Sequence, residues 1–299
     1  MKILIGVCLS KKNFRYLNLF INDINRIIVP KYFSLKIFFI LNKKDYYFKY
    51  LIKKNFVKKK CDFKILLEDN NNNNIPAARN RFLRELKNIN FSYAGFLDDD
   101  CSISRKWLVN MVKFIKKYDC DVVGGPQRHL SINKKIKMFY DLIEPQYKSG
   151  KDINWVATNN CFFKKSILTA NIKFHNEFSK FGGSDQHFFQ QLKKKNFKIK
   201  WNNDSIVFER SQKARENLKW FLQRNIRYGY SGSLIDLKLY GKLKGNFINM
   251  VKIFYLLFLS ILNLIFFINY KKFYKSIFLF MRAYGRVIYL SKYKLTKYY

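Results

Sequence analysis

Acid is scarce in this chain. Of 299 residues, 20 are Asp or Glu against 58 Lys and Arg, and the formal net charge is +38. So basic a sum points to phosphate-rich partners: nucleic acid, anionic lipid or a nucleotide. Glycine (12) and proline (4) are also few, while Lys, Asn, Ile, Phe and Tyr crowd the sequence. AT-rich codons encode that set, so genomic drift is a second source of the lysine excess. The charge is spread along the chain rather than gathered in one tail. Cys8, Cys61, Cys101, Cys120 and Cys161 are odd in number and contain no Cys-x-x-Cys pair. That argues against a disulfide framework or a zinc site and for a reducing compartment. His129, His175 and His187 do not stand at metal-ligand spacing and read as structural. Ser10 to Arg15 lacks a Gly-rich pattern, which counts against hydride transfer and nucleoside triphosphatase chemistry. The apolar run in Met1 to Ser10 is too short for a signal peptide and predicts a buried first strand.

What is present is a hydrophobic fraction of 48%, enough for one large α/β domain with an appendage or for two modest domains. Ile3 to Cys8 is a continuous apolar run, the pattern of a strand covered on both faces. Helical spacing follows from Phe14 to Ile28. The alternation continues with strands at Leu35 to Leu41, Phe63 to Leu67, Tyr93 to Leu97 and Asp121 to Gly124. Helices are expected at Tyr46 to Val57, Pro76 to Leu86 and Trp107 to Lys117. This βαβα rhythm predicts a doubly wound, mostly parallel sheet with ligands at the carboxyl ends of its strands. Asn70 to Asn74 is a polar loop. The middle predicts strands at Asn154 to Phe163 and Ile199 to Phe208 with a helix at Ser184 to Lys195 between them, and the chain reads as helical from Ala214 onward.

Ile253 to Ile268 holds sixteen residues without a charge. As a helix it is about 24 Å long, against a bilayer core of about 30 Å. Lys252 on one side and Lys271 and Lys272 on the other can snorkel to extend it. A short span, an interfacial helix and a buried core helix all fit this length. A second apolar stretch, Ile277 to Met281, follows among basic neighbours that anionic lipid would attract.

Three polar constellations stand out. Phe96-Leu97 runs into Asp98-Asp99-Asp100. Were the strand to continue, its pleat would put Asp98 and Asp100 on one face and Asp99 on the other. Adjacent carboxylates repel, and Mg²⁺ or Mn²⁺, which take oxygen ligands from one or two carboxylates plus substrate phosphates, would relieve that. An acidic loop that caps the helix near Ser104 to Trp107 is the alternative. Asn74 and Pro76 open a helix that carries Arg79, Arg81 and Arg84 near its start, where cations are unfavourable unless an anion is close. A diphosphate would satisfy both the helix N–H groups and Arg79; solvated surface arginines are the alternative. Gly182-Gly183-Ser184-Asp185 permits a tight turn into a helix with Asp185 in its first turn.

The acidic triplet, followed by Trp107-Leu108, resembles the Asp-x-Asp segment of inverting glycosyltransferase family 2, and within it the succinoglycan-type bacterial exopolysaccharide glucosyltransferases. The likeness covers residues 1 to 232. It implies a GT-A fold, with a nucleotide-sugar-binding half at 1–125 and an acceptor half at 126–232. Residues 233–299 then form a helical membrane-associating region. The resemblance puts Asp98 beside the nucleoside and, with Asp100, on the metal. It gives Asp99 no role. Arg79 falls in a matching Ala-Arg-Asn segment. Asp185 takes the place of the general base, standing in Ser-Asp where many relatives have Glu-Asp. Ala157 to Phe163 resembles a sugar-facing strand, with Trp155 either stacking on a ring or lying in the core. Trp220, Arg224 and Arg227 share a helix face. They loosely match an aromatic-plus-arginine motif, which makes Arg224 and Arg227 diphosphate ligands; a solvated basic face is the alternative. Glu209 and Arg210 fit the family pattern without a derivable role.

The resemblance implies a nucleoside-diphosphate sugar donor, a UDP-sugar among them, and Mg²⁺ or Mn²⁺. It also implies a lipid-linked saccharide acceptor at the cytoplasmic face of the inner or plasma membrane, an anionic membrane surface as partner, and no nucleic acid. A basic nucleic-acid-binding protein would explain the charge and the interspersed aromatics, but not the acidic triplet or Gly182 to Phe189. A nucleotidyltransferase on a similar fold would carry a Gly-rich start with a basic signature, which this chain lacks.

Overall fold

The computed structural model describes residues 1–41, 46–57, 61–67, 74–131, 133–210 and 212–291. The strands are β1 Lys2–Cys8, β2 Ser34–Leu41, β3 Cys61–Leu67, β4 Tyr93–Asp98, β5 Cys101–Ile103, β6 Val122–Gly124, β7 Gln127–Leu130, β8 Asn160–Lys164, β9 Ile199–Trp201 and β10 Val207–Arg210. The helices are α1 Phe14–Arg26, α2 Tyr46–Asn55, α3 Ile75–Lys87, α4 Trp107–Lys117, α5 Lys134–Ile143, α6 Ser184–Lys194, α7 Leu218–Tyr240, α8 Lys242–Ile265 and α9 Tyr270–Leu290. They fall into two compact units. The first is Met1–Arg128, Gln146–Asn176 and Phe188–Arg210; the second is His129–Pro145, Glu177–His187 and Ser211–Tyr299.

In the first unit a seven-stranded sheet has the order β3-β2-β1-β4-β8-β6-β9. Pairing is parallel between β1 and β2, β1 and β4, β2 and β3, and β6 and β9, while β8 runs antiparallel to β4 and β6. The expected doubly wound, mostly parallel sheet is present. Its apolar runs divide by parity between two cores. Ile3, Ile5 and Val7 of β1 join Ile37 and Phe39 of β2 against α1 and α4. Leu4, Phe38, Ile40 and Phe96 pack on the other side with Phe82 of α3 and Phe189 of α6. Each such aromatic or aliphatic side chain contributes about 1.5–3 kcal/mol when fully buried.

Two expected strands differ from the structure. The strand predicted from Asn154 starts only at Asn160. The run Ile199 to Phe208 is two strands in different sheets: β9 closes the large sheet, and β10 is the middle of a three-stranded sheet ordered β5-β10-β7. Asn202 breaks the run. Its Oδ1 accepts from the Asp204 N–H (3.0 Å), and its Nδ2 donates to Ser205 Oγ (2.8 Å), a side-chain-closed turn that ends the ladder. The polar loop expected at Asn70 to Asn74 lies outside the described residues except for Asn74.

The second unit is helical. Asn133, which accepts from the Lys135 and Ile136 N–H groups, caps α5, a helix absent from the sequence expectation. The helical expectation from Ala214 is realised in α7, α8 and α9. Phe139 of α5 packs on Phe221 of α7 (5.2 Å between ring centroids) and Tyr274 of α9 (4.7 Å). α7 and α9 cross in backbone contact: a Cβ on Gly229 would lie 2.0 Å from the Arg282 carbonyl oxygen, and one on Gly285 2.0 Å from that of Ile226. Polar groups line the helix interfaces. Asp236 sits between Lys252 (2.7 Å) and Arg286 (2.9 Å). Arg282 Nε donates to Asn225 Oδ1 (2.6 Å), and Ser260 and Ser276 meet Oγ to Oγ at 3.0 Å. Among the described residues one helix, α8, is long and apolar enough to cross a membrane, and most of it is exposed.

Candidate active site

The strand order puts the first unit's topological switch point between β1 and β4, where open α/β sheets bind their ligands. Cys8 at the end of β1 is in register with Asp98 at the end of β4. The ladder stops there. Asp99 and Asp100 form a turn rather than further strand, so the pleat argument that paired Asp98 with Asp100 does not apply beyond Asp98. The three carboxylates diverge in role. Asp99 is buried, and accepts from the Ser10 N–H (2.7 Å) and Asn13 Nδ2 (2.6 Å), fixing the loop after β1.

Burial raises the Asp99 carboxyl to about 7, against the lowering pull of the hydrogen bonds from Asn13 and Ser10. A carboxyl raised in this way stays protonated in the folded chain above its ordinary 3.8. Its stabilising contribution is complete below that value and is lost as pH climbs through about 7. Asp99→Asn keeps an acceptor for Ser10 and cannot ionise. The fall in melting temperature between about pH 4 and about pH 7 is expected to be smaller in that variant, measured in chelator. An unchanged slope would assign the pH dependence elsewhere.

Asp98 is half-exposed and pairs with Arg79 Nη2 at 3.9 Å. Arg79 is placed by α3, whose first turn is capped as expected: Asn74 Oδ1 accepts from the Ala77 N–H (3.1 Å), with Pro76 in the opening turn. The Arg79 guanidinium is buried over the Phe174 ring, 5.6 Å from its centroid. Asn80 holds that segment by donating to the Phe174 carbonyl and accepting from its N–H, both at 2.8 Å. Thus the Arg-Asn pair divides its work: Asn80 anchors the neighbouring loop, and Arg79 meets the acidic strand end.

Asp100 is buried, and its carbonyl accepts from the Arg210 N–H (3.1 Å). The Cys101 thiol is held well above its ordinary range, first by burial and then by the negative charges of Asp98, Asp100 and Glu209. That shared field and its oxygen donors suit a hard divalent cation. Among the described residues no three His, Cys, Asp or Glu side chains are grouped to hold a metal by themselves. Asp98 and Asp100 would therefore supply part of the shell, with substrate oxygens completing it. Glu209 joins this acidic neighbourhood and accepts from Gln127 Nε2. Its sequence signals were its place at a strand end and its fit to the family pattern. Arg210 is structural, pairing with Asp23 (3.6 Å) and donating to the Cys101 carbonyl (3.1 Å).

The expected sugar-facing segment is partly committed elsewhere. Asn160 is fully used inside the protein: Oδ1 accepts from Trp107 Nε1 (2.9 Å), and Nδ2 donates to the Pro126 and Ser205 carbonyls (3.0 and 2.7 Å). Trp155 packs against the core on the α3 side.

Asp185, Arg224 and Arg227 lie in the second unit. Gly182 and Gly183 have φ of +79° and +90°, a conformation that glycine adopts without strain. Ser184 begins α6 as its first residue rather than preceding it, and Asp185 is half-buried in the first turn, its Oδ1 accepting from the Gln186 N–H (2.8 Å). Arg224 stacks between Tyr228 (4.8 Å) and Trp220 (5.7 Å), so the predicted shared face is real. Arg282, from α9, covers the same Tyr228 ring at 5.2 Å. No helical spacing links it to Arg224, so sequence reasoning missed it. Arg227 is half-buried on α7, its carbonyl accepting from Ser231 Oγ (2.8 Å). The histidines read as structural include His187, buried against Phe178, and His129, stacked on Tyr140 with Nε2 2.7 Å from Glu144.

The family model described as Glycosyl transferase family 2 matches residues 35–189. No curated protein matches the sequence. Among solved structures, the mannosyltransferase PcManGT from Pyrobaculum calidifontis in complex with GDP-Man and Mn²⁺ is similar at a TM-score of 0.64 and 12% identity, over 98% of this chain and 88% of that one. S. aureus TarS 1-349 in complex with UDP-GlcNAc gives 0.55 and 13%, over 98% and 93%. A longer S. aureus TarS chain gives 0.52 and 13%, over 82% of this chain and 41% of that one, so this chain spans less than half of that length. At these identities the likeness is one of fold: mixed α/β with a mostly parallel central sheet, consistent with GT-A.

Proposed function

We propose, from the premise that this chain belongs to glycosyltransferase family 2 and is a nucleotide-sugar glycosyltransferase, that it transfers the sugar of a UDP-sugar, with inversion, to a lipid-linked saccharide. The setting is the cytoplasmic face of the inner or plasma membrane, in surface glycan synthesis, as the resemblance to succinoglycan-type exopolysaccharide glycosyltransferases suggests. The observation that carries the reading is the Arg79–Asp98 pair at the switch point of the sheet. It joins a guanidinium at a capped helix start to the acidic end of a central strand. A diphosphate gains the N–H groups of that helix start and a charge-assisted bond from Arg79. Asp98, on the nucleoside side, and Asp100 hold Mg²⁺ or Mn²⁺. The cation, when bound, neutralises charge on the leaving diphosphate. Arg224 and Arg227 add positive charge for the diphosphate from α7. Asp185 takes the proton of the acceptor hydroxyl as that oxygen bonds the anomeric carbon and the bond from that carbon to the diphosphate oxygen breaks.

A thermal-shift panel of nucleotide sugars with and without Mn²⁺ tests this. One UDP-sugar is expected to stabilise the protein, and more so with metal. Asp100→Ala is expected to remove the metal-dependent part of that shift. No stabilisation by any nucleotide sugar would reject the donor assignment, and an unchanged metal effect in Asp100→Ala would reject the ligand assignment.

A further inference from the structure

The helix α8 is amphipathic the wrong way round for a helix facing water. At about 100° per residue, Leu243, Phe247, Phe254, Phe258, Ile261 and Ile265 fall within about 40° of one line along the helix. All six are exposed, Leu243 at 88% and Phe247 at 70%. The opposite side carries Gly245, Asn249, Lys252, Ser260 and Asn263. Gly245, Asn249 and Ser260 are buried. Lys252 reaches Asp236, Asn249 Nδ2 donates to the Ser233 carbonyl of α7 (3.4 Å), and Ser260 meets Ser276. Polar groups thus face protein and apolar groups face out. From Leu243 to Ile265 the stripe is about 33 Å long.

The surroundings identify its occupant. No Asp or Glu follows Asp236 in the sequence, and Lys242, Lys244, Lys271 and Lys272 stand at the two ends of the apolar face. That charge is complementary to anionic headgroups, not to a second copy of the same basic surface. The neighbouring helices also fix the orientation. Lys252, the eleventh of the 24 residues of α8, keeps 43% of its side chain exposed. Lys135 of α5 faces the rings of Tyr270 and Tyr274 on α9, at 5.4 and 5.3 Å. Were α8 to span a bilayer, Lys252 would go to membrane depth, where ionised side chains are costly, and Lys135, held at the start of α9, would go to the far side.

We infer that α8 is an in-plane membrane anchor, its Leu243–Ile265 stripe sunk into one leaflet of an anionic bilayer while α9 and α5 remain on the aqueous side. This deepens the membrane part of the proposed function and rests on it. The test uses the full chain with phosphatidylcholine vesicles, with and without phosphatidylglycerol, in a flotation assay. Wild type is expected to float with the anionic vesicles, and the double variant Phe254→Glu, Phe258→Glu to lose at least about tenfold of that binding. Both positions are exposed, so circular dichroism and the donor-induced thermal shift are expected to stay unchanged. Equal flotation of the variant overturns the inference. So does a wild-type dimer that the variant dissociates with vesicle binding unaltered, since the stripe would then be covered by a second copy. Orientation is read from Lys271→Cys on vesicles loaded from outside: labelling by a membrane-impermeant maleimide is expected, and protection would mean that α8 spans. Donor binding is read separately, so failure here is distinct from failure of the transfer reading.

Discussion

Asp185→Asn is expected to lower sugar transfer by about 10²–10⁴-fold, the usual contribution of a positioned general base, while donor binding measured by thermal shift stays at the wild-type level. The substitution preserves size and an oxygen that can accept from the Gln186 N–H, as Asp185 Oδ1 does at 2.8 Å. What it removes is the capacity to take a proton. A carboxylate base serves best here when proton transfer comes late, after the new bond has begun to form and the acceptor oxygen has become acidic. A steeper loss with poorly acidic acceptors than with activated ones would follow. Full activity in Asp185→Asn would remove Asp185 from the chemistry and leave it as a partner of the helix dipole.

The second large effect concerns stability. Asp236→Ala is expected to destabilise the chain by about 3–5 kcal/mol, the cost of breaking a buried ion pair by removing one member. The two partners of Asp236 are unequal. Lys252 has 43% of its side chain exposed and can turn to water, whereas Arg286 has 10%. Most of the loss therefore comes from Arg286, left charged between α7, α8 and α9. Replacing both by apolar residues, Asp236→Leu with Arg286→Met, should recover most of it, because no charge is then stranded. Chemical denaturation of the single and double variants measures this. A single-variant loss under about 1 kcal/mol would place the pair among weak, solvent-screened contacts.

Much of the fold was legible because parity and period survive in the sequence. The apolar runs of β1 and β2 are continuous because each parity has its own core, Phe39 on one side and Phe38 on the other. The start of α3 was legible through Asn74 and Pro76. The end of β4 was not. Its side-chain pattern continues through Asp100, but a ladder needs a partner, and β1 pairs with it only as far as Cys8 opposite Asp98. Asp99 thus became a loop anchor where two faces of a strand were expected. Asn160 was misread for a similar reason: an amide beside small residues suits a sugar, and its partners Trp107, Pro126 and Ser205 are distant in sequence. Arg282 escaped because its stacking on Tyr228 depends on a helix crossing. The apolar character of α8 was plain from composition, but not that its polar side turns inward, which depends on where α7 and α9 pack.

The position of Asn160 bears on time as well as shape. Its three bonds reach residues 53, 34 and 45 positions away, and all belong to segments that meet only once the sheet is assembled. Contacts of such long sequence separation form late, after the loops between them have closed. Interactions absent from the rate-limiting step act mainly on escape from the native state. Asn160 therefore governs how long the folded sheet persists, and hardly how fast the chain reaches it.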